Sequence, residues 1–206
     1  MTSLVDYYSA TVALNEGGKG GWASIYYGIF SSVINQNNYK NVAEIGIGYG
    51  THAKQILKNT SIHKLYLIDP MKYYPNDGFA DDIMKTIPNI PNNQFNELHD
   101  CITNYLSDYK DKVVWFRKES TTITNDEIPD YSLDCVFIDG NHEYQYVLDD
   151  LQFWAKKVRP GGQILGDDYW MSDVANAVHD FEKISSLTAD FLTLPNNDYK
   201  IFRFHV

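Results

Sequence analysis

The amino-acid sequence predicts an α/β fold in which helices cover both faces of a mostly parallel sheet of seven strands. Short runs rich in valine, isoleucine, leucine and phenylalanine recur along the chain, and most precede a segment whose apolar residues have helical spacing. The runs "KLYLID" and "LDCVFID" are nearly continuous, as is typical of parallel strands that are buried on both faces. The last two runs are separated only by "PNND", which predicts an antiparallel hairpin at the sheet edge.

The strands and the first helices follow from these patterns in chain order. Helices are expected at about 22–36, from Thr51 to Leu57, near 79–86 and near 94–109. The strands are expected at residues 42–46, 64–69, 112–117, 133–138, 162–166, 190–194 and 199–205.

Two further helices are predicted between the later strands. The segment "EYQYVLDDLQFWAKKV" has one apolar stripe, so it predicts a crossover helix that "RPGG" stops before the next strand. The stripe comprises Tyr144, Val147, Leu148, Leu151, Trp154 and Val158. The segment "SDVANAVHDFEKISSL" predicts a helix capped by Ser172, with Val174, Val178, Phe181 and Ile184 on its buried face.

The length of 206 residues predicts a single domain over 1–206. The connection between Asp69 and Val113 is long for an α/β unit, and its first part, "PMKYYPNDGFADDIMKTIPNIP", contains four prolines. We interpret residues of about 71–95 as an insertion that forms a lid or an oligomer contact. The insertion and the early helix therefore offer surfaces for a homo-oligomer.

Composition narrows the class of partner. No stretch approaches the ~20 apolar residues that span a bilayer, and the first residues lack a basic and apolar leader, so a cytoplasmic protein without membrane contact is expected. A net charge of -10 repels polyanions and disfavours nucleic acid as a partner, so the charge argues for a small or neutral substrate. Cys101 and Cys135 lack metal-type spacing and are expected to be reduced thiols.

A glycine-rich turn in "EIGIGYG" follows the first strand. Gly46, Gly48 and Gly50 allow a sharp turn and a close approach of the backbone to a ligand. A dinucleotide site would have G-x-G-x-x-G, whereas here the third glycine comes one position early. Glu44, two residues before the first glycine, would repel a pyrophosphate and suits a ligand with an amino group and a sulfonium. The turn therefore predicts a site for S-adenosylmethionine.

Three more residues are candidate cofactor ligands. Asp69 ends the second strand, where an acid can accept hydrogen bonds from both ribose hydroxyls, as it also would for NAD. Glu119 and Ser120 follow the third strand and are placed to meet the adenine edge. A plain connection between strand and helix is the alternative for the glycine turn, since a lone glycine cluster is weak evidence of a site.

In its glycine turn and the acids around it, the chain resembles class I S-adenosylmethionine-dependent methyltransferases, and the resemblance extends from about residue 12 to the end of the chain. The block "LDCVFIDGNHEYQYVLDDLQFWAKKVRPGGQILGDDYW" resembles the metal-dependent O-methyltransferases that include the macrolide-sugar enzymes and, more distantly, the catechol type. The segment "LNEGGKGGWASIYYGIFSSVI" resembles their cofactor-flanking helix. The resemblance implies a Rossmann-like fold and methyl transfer to a hydroxyl.

Three carboxylates are predicted to meet beside the cofactor. Asp139 closes the fourth strand, and Asp167 and Asp168 close the fifth. If these strands are neighbours, the carboxylates converge at the edge where open α/β sheets bind ligands. Clustered carboxylates repel one another unless a cation neutralises them, so a hard divalent ion such as Mg²⁺ is expected. Such an ion favours an acceptor with vicinal hydroxyls, because both could coordinate it.

His142 is the candidate base. It lies three residues after Asp139, and imidazole can take a hydroxyl proton near neutral pH. The resemblance to the sugar enzymes implies that His142 is the base and that Asp139, Asp167 and Asp168 hold the metal, Asp139 also flanking the cofactor. Catechol enzymes have a lysine near this position. A capping or packed histidine is the alternative.

Aromatic residues complete the predicted site. Tyr169 and Trp170 directly follow the acidic pair and are candidate substrate contacts, whereas Tyr144 fits core packing better. The leading prediction is a metal-dependent O-methyltransferase of a sugar or glycan hydroxyl. The alternatives are methylation of a catechol-like aromatic diol and a non-catalytic cofactor-binding domain of a larger glycan-assembly protein.

Overall fold

The computed structural model describes residues 3–17, 27–72, 74, 94–193 and 199–206, and every structural statement below concerns these residues. They form one seven-stranded sheet with helices on both faces, as the sequence predicts. The strands are β1 (Asn41–Ile45), β2 (Lys64–Ile68), β3 (Val113–Phe116), β4 (Leu133–Ile138), β5 (Val158–Gly166), β6 (Asp190–Thr193) and β7 (Lys200–His205). The α-helices are α1 (Leu4–Glu16), α2 (Tyr27–Asn37), α3 (Thr51–Asn59), α4 (Gln94–Tyr105), α5 (Tyr144–Lys157) and α6 (Ser172–Ser185).

The strand order is β3-β2-β1-β4-β5-β7-β6. The first five strands run parallel, and β7 lies antiparallel between β5 and β6, so the predicted C-terminal hairpin is confirmed. The chain leaves β1 in one direction to β2 and β3 and later returns to β4 on the other side. Ligands bind open α/β sheets at such a reversal, beyond the carboxyl ends of the strands.

Two apolar layers cover the sheet. Helices α1 to α4 pack on one face, where Phe30, Ile56 and Ile102 are fully buried. Helices α5 and α6 pack on the other face around Trp154 and Phe181. None of the described helices combines the length and apolarity needed to cross a bilayer.

The structure differs from the sequence predictions at three points. Strand β5 begins at Val158, directly after α5, so "RPGG" lies inside the strand instead of stopping the helix before it. The pairing of β4 with β5 shifts there, and Gly161 has a φ of 79°. Met171, not Ser172, precedes the first turn of α6, whose Ile184 is exposed.

The third difference is α1, which the sequence analysis did not predict. The hydroxyl of Ser3 accepts the backbone N–H of Asp6 at 3.1 Å and donates to its carboxylate at 2.7 Å, which is a capping arrangement. The helix predicted near 79–86, the "PNND" turn and the start of the helix predicted at 22–36 lie outside the described residues, as does most of the insertion.

Candidate active site

The glycine turn lies against the end of β4. Gly46, Gly48 and Gly50 have φ angles of 79°, 51° and 76°, in the left-handed region that favours glycine. A Cβ on Gly46 would overlap the backbone carbonyl of Asp139, so a larger residue cannot fit there without moving β4. The turn at β1 and the acid after β4 are therefore in direct backbone contact.

Asp69 ties the ends of β1 and β2 together. Its Oδ2 accepts the backbone N–H of Ile47 within the glycine turn at 3.0 Å, and its Oδ1 accepts that of Met71 at 2.7 Å. Burial raises the pKa of Asp69, while the two backbone donors favour the carboxylate. Each carboxylate oxygen can accept a second hydrogen bond, so these contacts leave capacity for ribose hydroxyls.

Glu44 lies beneath the turn. Only 1% of its surface is exposed, and its Oε1 lies 3.0 Å from Nδ1 of His52 in the first turn of α3. Its Oε2 is buried and has no hydrogen-bond partner among the described residues. The His52 ring packs on Phe137 with 4.7 Å between ring centroids, so the pair belongs to the layer of α2 and α3.

Glu119 and Ser120 follow β3 and both have polar partners. Glu119 accepts the Tyr74 hydroxyl at 2.8 Å and forms an ion pair with Lys72. Ser120 donates to the carboxylate of Asp150 on α5. Asp150 is 4% exposed, and this burial raises its pKa to about 7. The sequence analysis missed Asp150, because its position on a helix carries no sign of a contact with the loop after β3.

The ends of β4 and β5 bring three predicted residues together. Nε2 of His142 lies 2.9 Å from Oδ2 of Asp168 and 3.8 Å from Oδ1 of Asp139. One ligand atom from each residue lies within 4.8 Å of the others. Burial raises the pKa of Asp139 to about 6, and the negative charge of Asp168 adds to this shift. Two carboxylates and an imidazole at this spacing are a candidate donor set for a divalent cation.

Asp167 points to a different partner. It is 4% exposed, and its Oδ1 accepts the hydroxyl of Tyr199 and, at 2.7 Å, the backbone N–H of Asp168. Burial raises its pKa to about 8, and Asp139 and Asp168 contribute to the shift. The compact donor set thus contains His142 in the place where the sequence predicted Asp167. Tyr199 was missed, since it lies 32 residues from Asp167 in the chain.

The predicted substrate contacts lie next to the donor set. The indole N–H of Trp170 donates to Oδ1 of Asp168 at 2.8 Å, while the residue is 73% exposed. The ring of Tyr169 packs against that of Phe191 on β6, with 4.5 Å between centroids. Tyr144 donates its hydroxyl to Asp180 at 2.8 Å.

Helix α1 reaches the back of the glycine turn. The hydroxyl of Tyr8 donates to the backbone carbonyl of Tyr49 at 3.0 Å, and both residues are buried. The rings of Tyr7 and Tyr8 pack near the ring of Tyr49. Tyr49 is therefore a packing residue of the turn.

One family model and one relative match this chain in sequence. A family model described as "Methyltransferase domain" matches residues 43–169, from β1 to the aromatic pair after β5. An uncharacterized protein of Acanthamoeba polyphaga mimivirus, R132, is 29% identical over 140 residues, which are 66% of this chain and 56% of that protein. The matched part thus spans little more than half of that relative.

Solved structures share the fold at low identity. A Staphylococcus aureus protein provisionally assigned as a caffeoyl-CoA O-methyltransferase has a TM-score of 0.65 and 14% identity, over 99% of this chain and 93% of its own. A Bacillus cereus O-methyltransferase in complex with S-adenosylhomocysteine has a TM-score of 0.63 and 15% identity, over 97% of this chain and 88% of its own. TomG of Streptomyces achromogenes is an O-methyltransferase of tomaymycin synthesis that was solved with S-adenosylmethionine. Its TM-score is 0.62 and its identity is 11%, over 99% of this chain and 89% of its own.

Proposed function

Because this chain belongs to the methyltransferase-domain family, we propose that it is a cytoplasmic, S-adenosylmethionine-dependent O-methyltransferase that acts on a hydroxyl of a sugar or glycan. One observation carries the proposal. The glycine turn that would bind the cofactor lies against the backbone of Asp139, the residue that begins the candidate donor set. A methyl donor in the turn and an acceptor at the donor set would thus share one edge of the sheet.

The cofactor would lie along the ends of β1, β2 and β3. Glycines 46, 48 and 50 leave room for its methionine part, and Asp69 would accept the ribose hydroxyls with the lone pairs that Ile47 and Met71 do not use. Glu119 and Ser120 would lie at the adenine edge. Glu44 would attract the amino group by its charge, because its side chain is buried beneath the turn.

A divalent cation fits the residues at the ends of β4 and β5. Asp139 and Asp168 would supply carboxylate oxygens, which suit Mg²⁺ or Mn²⁺, while Nε2 of His142 would stay uncoordinated so that it can accept a proton. When bound, the cation would lower the pKa of an acceptor hydroxyl and fix its position. Asp167 would not bind the cation itself but would hold Asp168 in position by accepting its backbone N–H.

His142 is the proposed base. In the transfer, the acceptor oxygen forms a bond to the methyl carbon as the bond from that carbon to sulfur breaks, and the hydroxyl proton passes to the imidazole. Its Nε2 lies 2.9 Å from Oδ2 of Asp168 and 3.8 Å from Oδ1 of Asp139, the two residues that would hold the cation and, through it, the acceptor hydroxyl. The two carboxylates would stabilise the imidazolium that forms.

Binding and turnover can be tested separately. S-adenosylhomocysteine should raise the melting temperature of the protein, and NAD at equal concentration should not. Transfer of a labelled methyl group should then be measured over a panel of sugars, glycans and catechols with Mg²⁺ or Mn²⁺. Stabilisation by NAD alone would contradict the cofactor, and efficient transfer to catechols without transfer to sugars would contradict the acceptor class.

A catechol-like aromatic diol is the second candidate acceptor. The open face of Trp170 beside Asp168 favours any flat ring that places two adjacent hydroxyls near the donor set. A third possibility is a cofactor-binding domain without turnover. Binding of S-adenosylhomocysteine without transfer to any member of the panel would support it.

A further inference from the structure

The loop after β5 holds Asp168 unusually firmly. Its backbone has a φ of 54°, in the left-handed region that aspartate tolerates better than most residues. Its N–H donates to Asp167 at 2.7 Å, and its carbonyl accepts the N–H of Met171 at 2.8 Å, which closes a tight turn. The backbone of this residue is therefore fixed on both sides.

The side chain of Asp168 is fixed as well, by two different neighbours. Oδ1 accepts the indole N–H of Trp170 at 2.8 Å, and Oδ2 lies 2.9 Å from Nε2 of His142. One oxygen thus faces an aromatic donor and the other faces the donor set. Rotation of the carboxylate out of its plane would lengthen the Trp170 hydrogen bond, so the indole N–H helps to fix the plane in which Asp168 faces His142.

Trp170 is also the most exposed of the large hydrophobic side chains described in this protein, at 73%. An indole that packed only for stability would bury its ring, whereas this one is tied by its N–H and leaves its faces open. A ring stacked on that face would lie beside Oδ1 of Asp168. The same side chain is thus adjacent to the metal ligand and to the space where an acceptor would lie.

We propose that Trp170 is a positioning residue that orients Asp168 for the cation through its N–H while its open ring face binds the ring of the acceptor. The inference rests on the proposed function, since it concerns the same donor set. Outer hydrogen bonds to ligand carboxylates hold them in the binding orientation, and their loss typically weakens metal binding by about 10-fold to 100-fold. Binding of the cation and of the acceptor ring would then depend on different atoms of one residue.

Two substitutions separate these roles. Trp170→Phe keeps an aromatic ring and removes the donor. Trp170→Gln removes the ring and keeps an N–H the same number of bonds from the backbone. Trp115→Phe is the matched control, because Trp115 lies on the edge strand β3, which three strands separate from β5. Dissociation constants for Mn²⁺ are measured by electron paramagnetic resonance without cofactor or acceptor, and KM for the best acceptor is measured at saturating Mn²⁺.

We expect Trp170→Phe to weaken Mn²⁺ binding about 10-fold and to change the acceptor KM little. Trp170→Gln should bind Mn²⁺ within about 3-fold of the unmodified protein, and it should raise the acceptor KM about 5-fold, because the stacking surface is lost. Trp115→Phe should change neither quantity.

Equal Mn²⁺ affinity in Trp170→Phe and the unmodified protein would overturn the positioning role. An unchanged acceptor KM in Trp170→Gln would overturn the ring contact. If the unmodified protein binds no Mn²⁺, the metal part of the proposed function fails, and the inference fails with it. S-adenosylhomocysteine binding, measured in every variant, shows whether each variant is folded.

Discussion

Nδ1 of His52 lies 3.0 Å from Oε1 of Glu44, and both side chains are buried beneath the glycine turn. The contact joins the first turn of α3 to the middle of β1. Because Glu44 is fully enclosed, its carboxylate relies on this partner in place of water.

His52→Ala should therefore reduce the free energy of unfolding by about 3 kcal/mol, since it leaves a buried carboxylate without this contact. Urea denaturation at neutral pH measures the loss. His63→Ala is the control, because His63 is exposed and its side chain has no described contact. A loss below about 0.5 kcal/mol, as expected for surface substitutions, would contradict a structural role for the pair.

Gly46→Ala should destabilise the protein and abolish S-adenosylhomocysteine binding. The added Cβ would overlap the carbonyl of Asp139, at a φ of 79° that is unfavourable for alanine. Gly28→Ala makes the same change at the second residue of α2, where a Cβ meets nothing within 4 Å, and should change the free energy of unfolding by no more than about 0.5 kcal/mol. Thermal unfolding with and without ligand distinguishes the two. A well-folded, ligand-binding Gly46→Ala protein would contradict the described contact.

Asp168→Ala should abolish methyl transfer and Mn²⁺ binding while S-adenosylhomocysteine binds nearly as before, because Asp168 faces His142 rather than the glycine turn. A chelator should likewise stop transfer, and Mg²⁺ should restore it. Asp173→Ala, an exposed acid in the first turn of α6, should leave both quantities unchanged. Full activity after exhaustive metal removal would contradict the role of the cation.

His142→Ala should lower the rate about 100-fold or more at neutral pH and less at alkaline pH. The acceptor hydroxyl ionises more readily at high pH, so the lost base matters less there. Initial rates between pH 6 and 10 test this, with His179→Ala as a control on the exposed side of α6. Parallel pH profiles for His142→Ala and the unmodified enzyme would remove His142 as the base.

Asp150 should make the protein less stable as the pH rises. Its folded pKa of about 7 lies above the ordinary 3.8, so the folded state binds more protons between these values. The stability present below about pH 4 is lost progressively up to about pH 7, by at most about 4 kcal/mol at 1.36 kcal/mol per pKa unit. Asp150→Asn should flatten this part of the stability profile, measured by urea unfolding from pH 4 to 8. An unchanged slope would contradict the raised pKa.

The features that a local sequence pattern encodes, namely the strands and the turns that follow them, could be predicted from the sequence. Apolar runs located the strands to within about a residue at most ends, and the glycine turn, Asp139 and the pair Asp167 and Asp168 were singled out because they lie just after strand ends. The start of β5 was missed because "RPGG" resembles a helix stop, although here it is an irregular part of a paired strand. Helix α1 was missed because its apolar residues form no clear stripe.

Hydrogen bonds between residues that are distant in the sequence could not be predicted in the same way. Ser120 and Asp150 are 30 residues apart, and Asp167 and Tyr199 are 32 apart, so their contacts depend on strand order and on the register of β7. Asp167 accepts the hydroxyl of Tyr199, whereas Asp168 contacts Trp170 and His142. Adjacent aspartates look equivalent in sequence, but only the packing of Tyr199 and Trp170 distinguishes them.

If the glycine turn binds the cofactor as proposed, the hydrogen bond from Tyr8 to the carbonyl of Tyr49 couples helix α1 to cofactor affinity. A ligand that immobilises the turn after β1 would also stabilise the packing of this helix against the turn. Destabilising that packing would reduce the binding free energy of the ligand by the same amount. Substitutions in α1 would thus change the affinity for the methyl donor, although no residue of this helix needs to contact it.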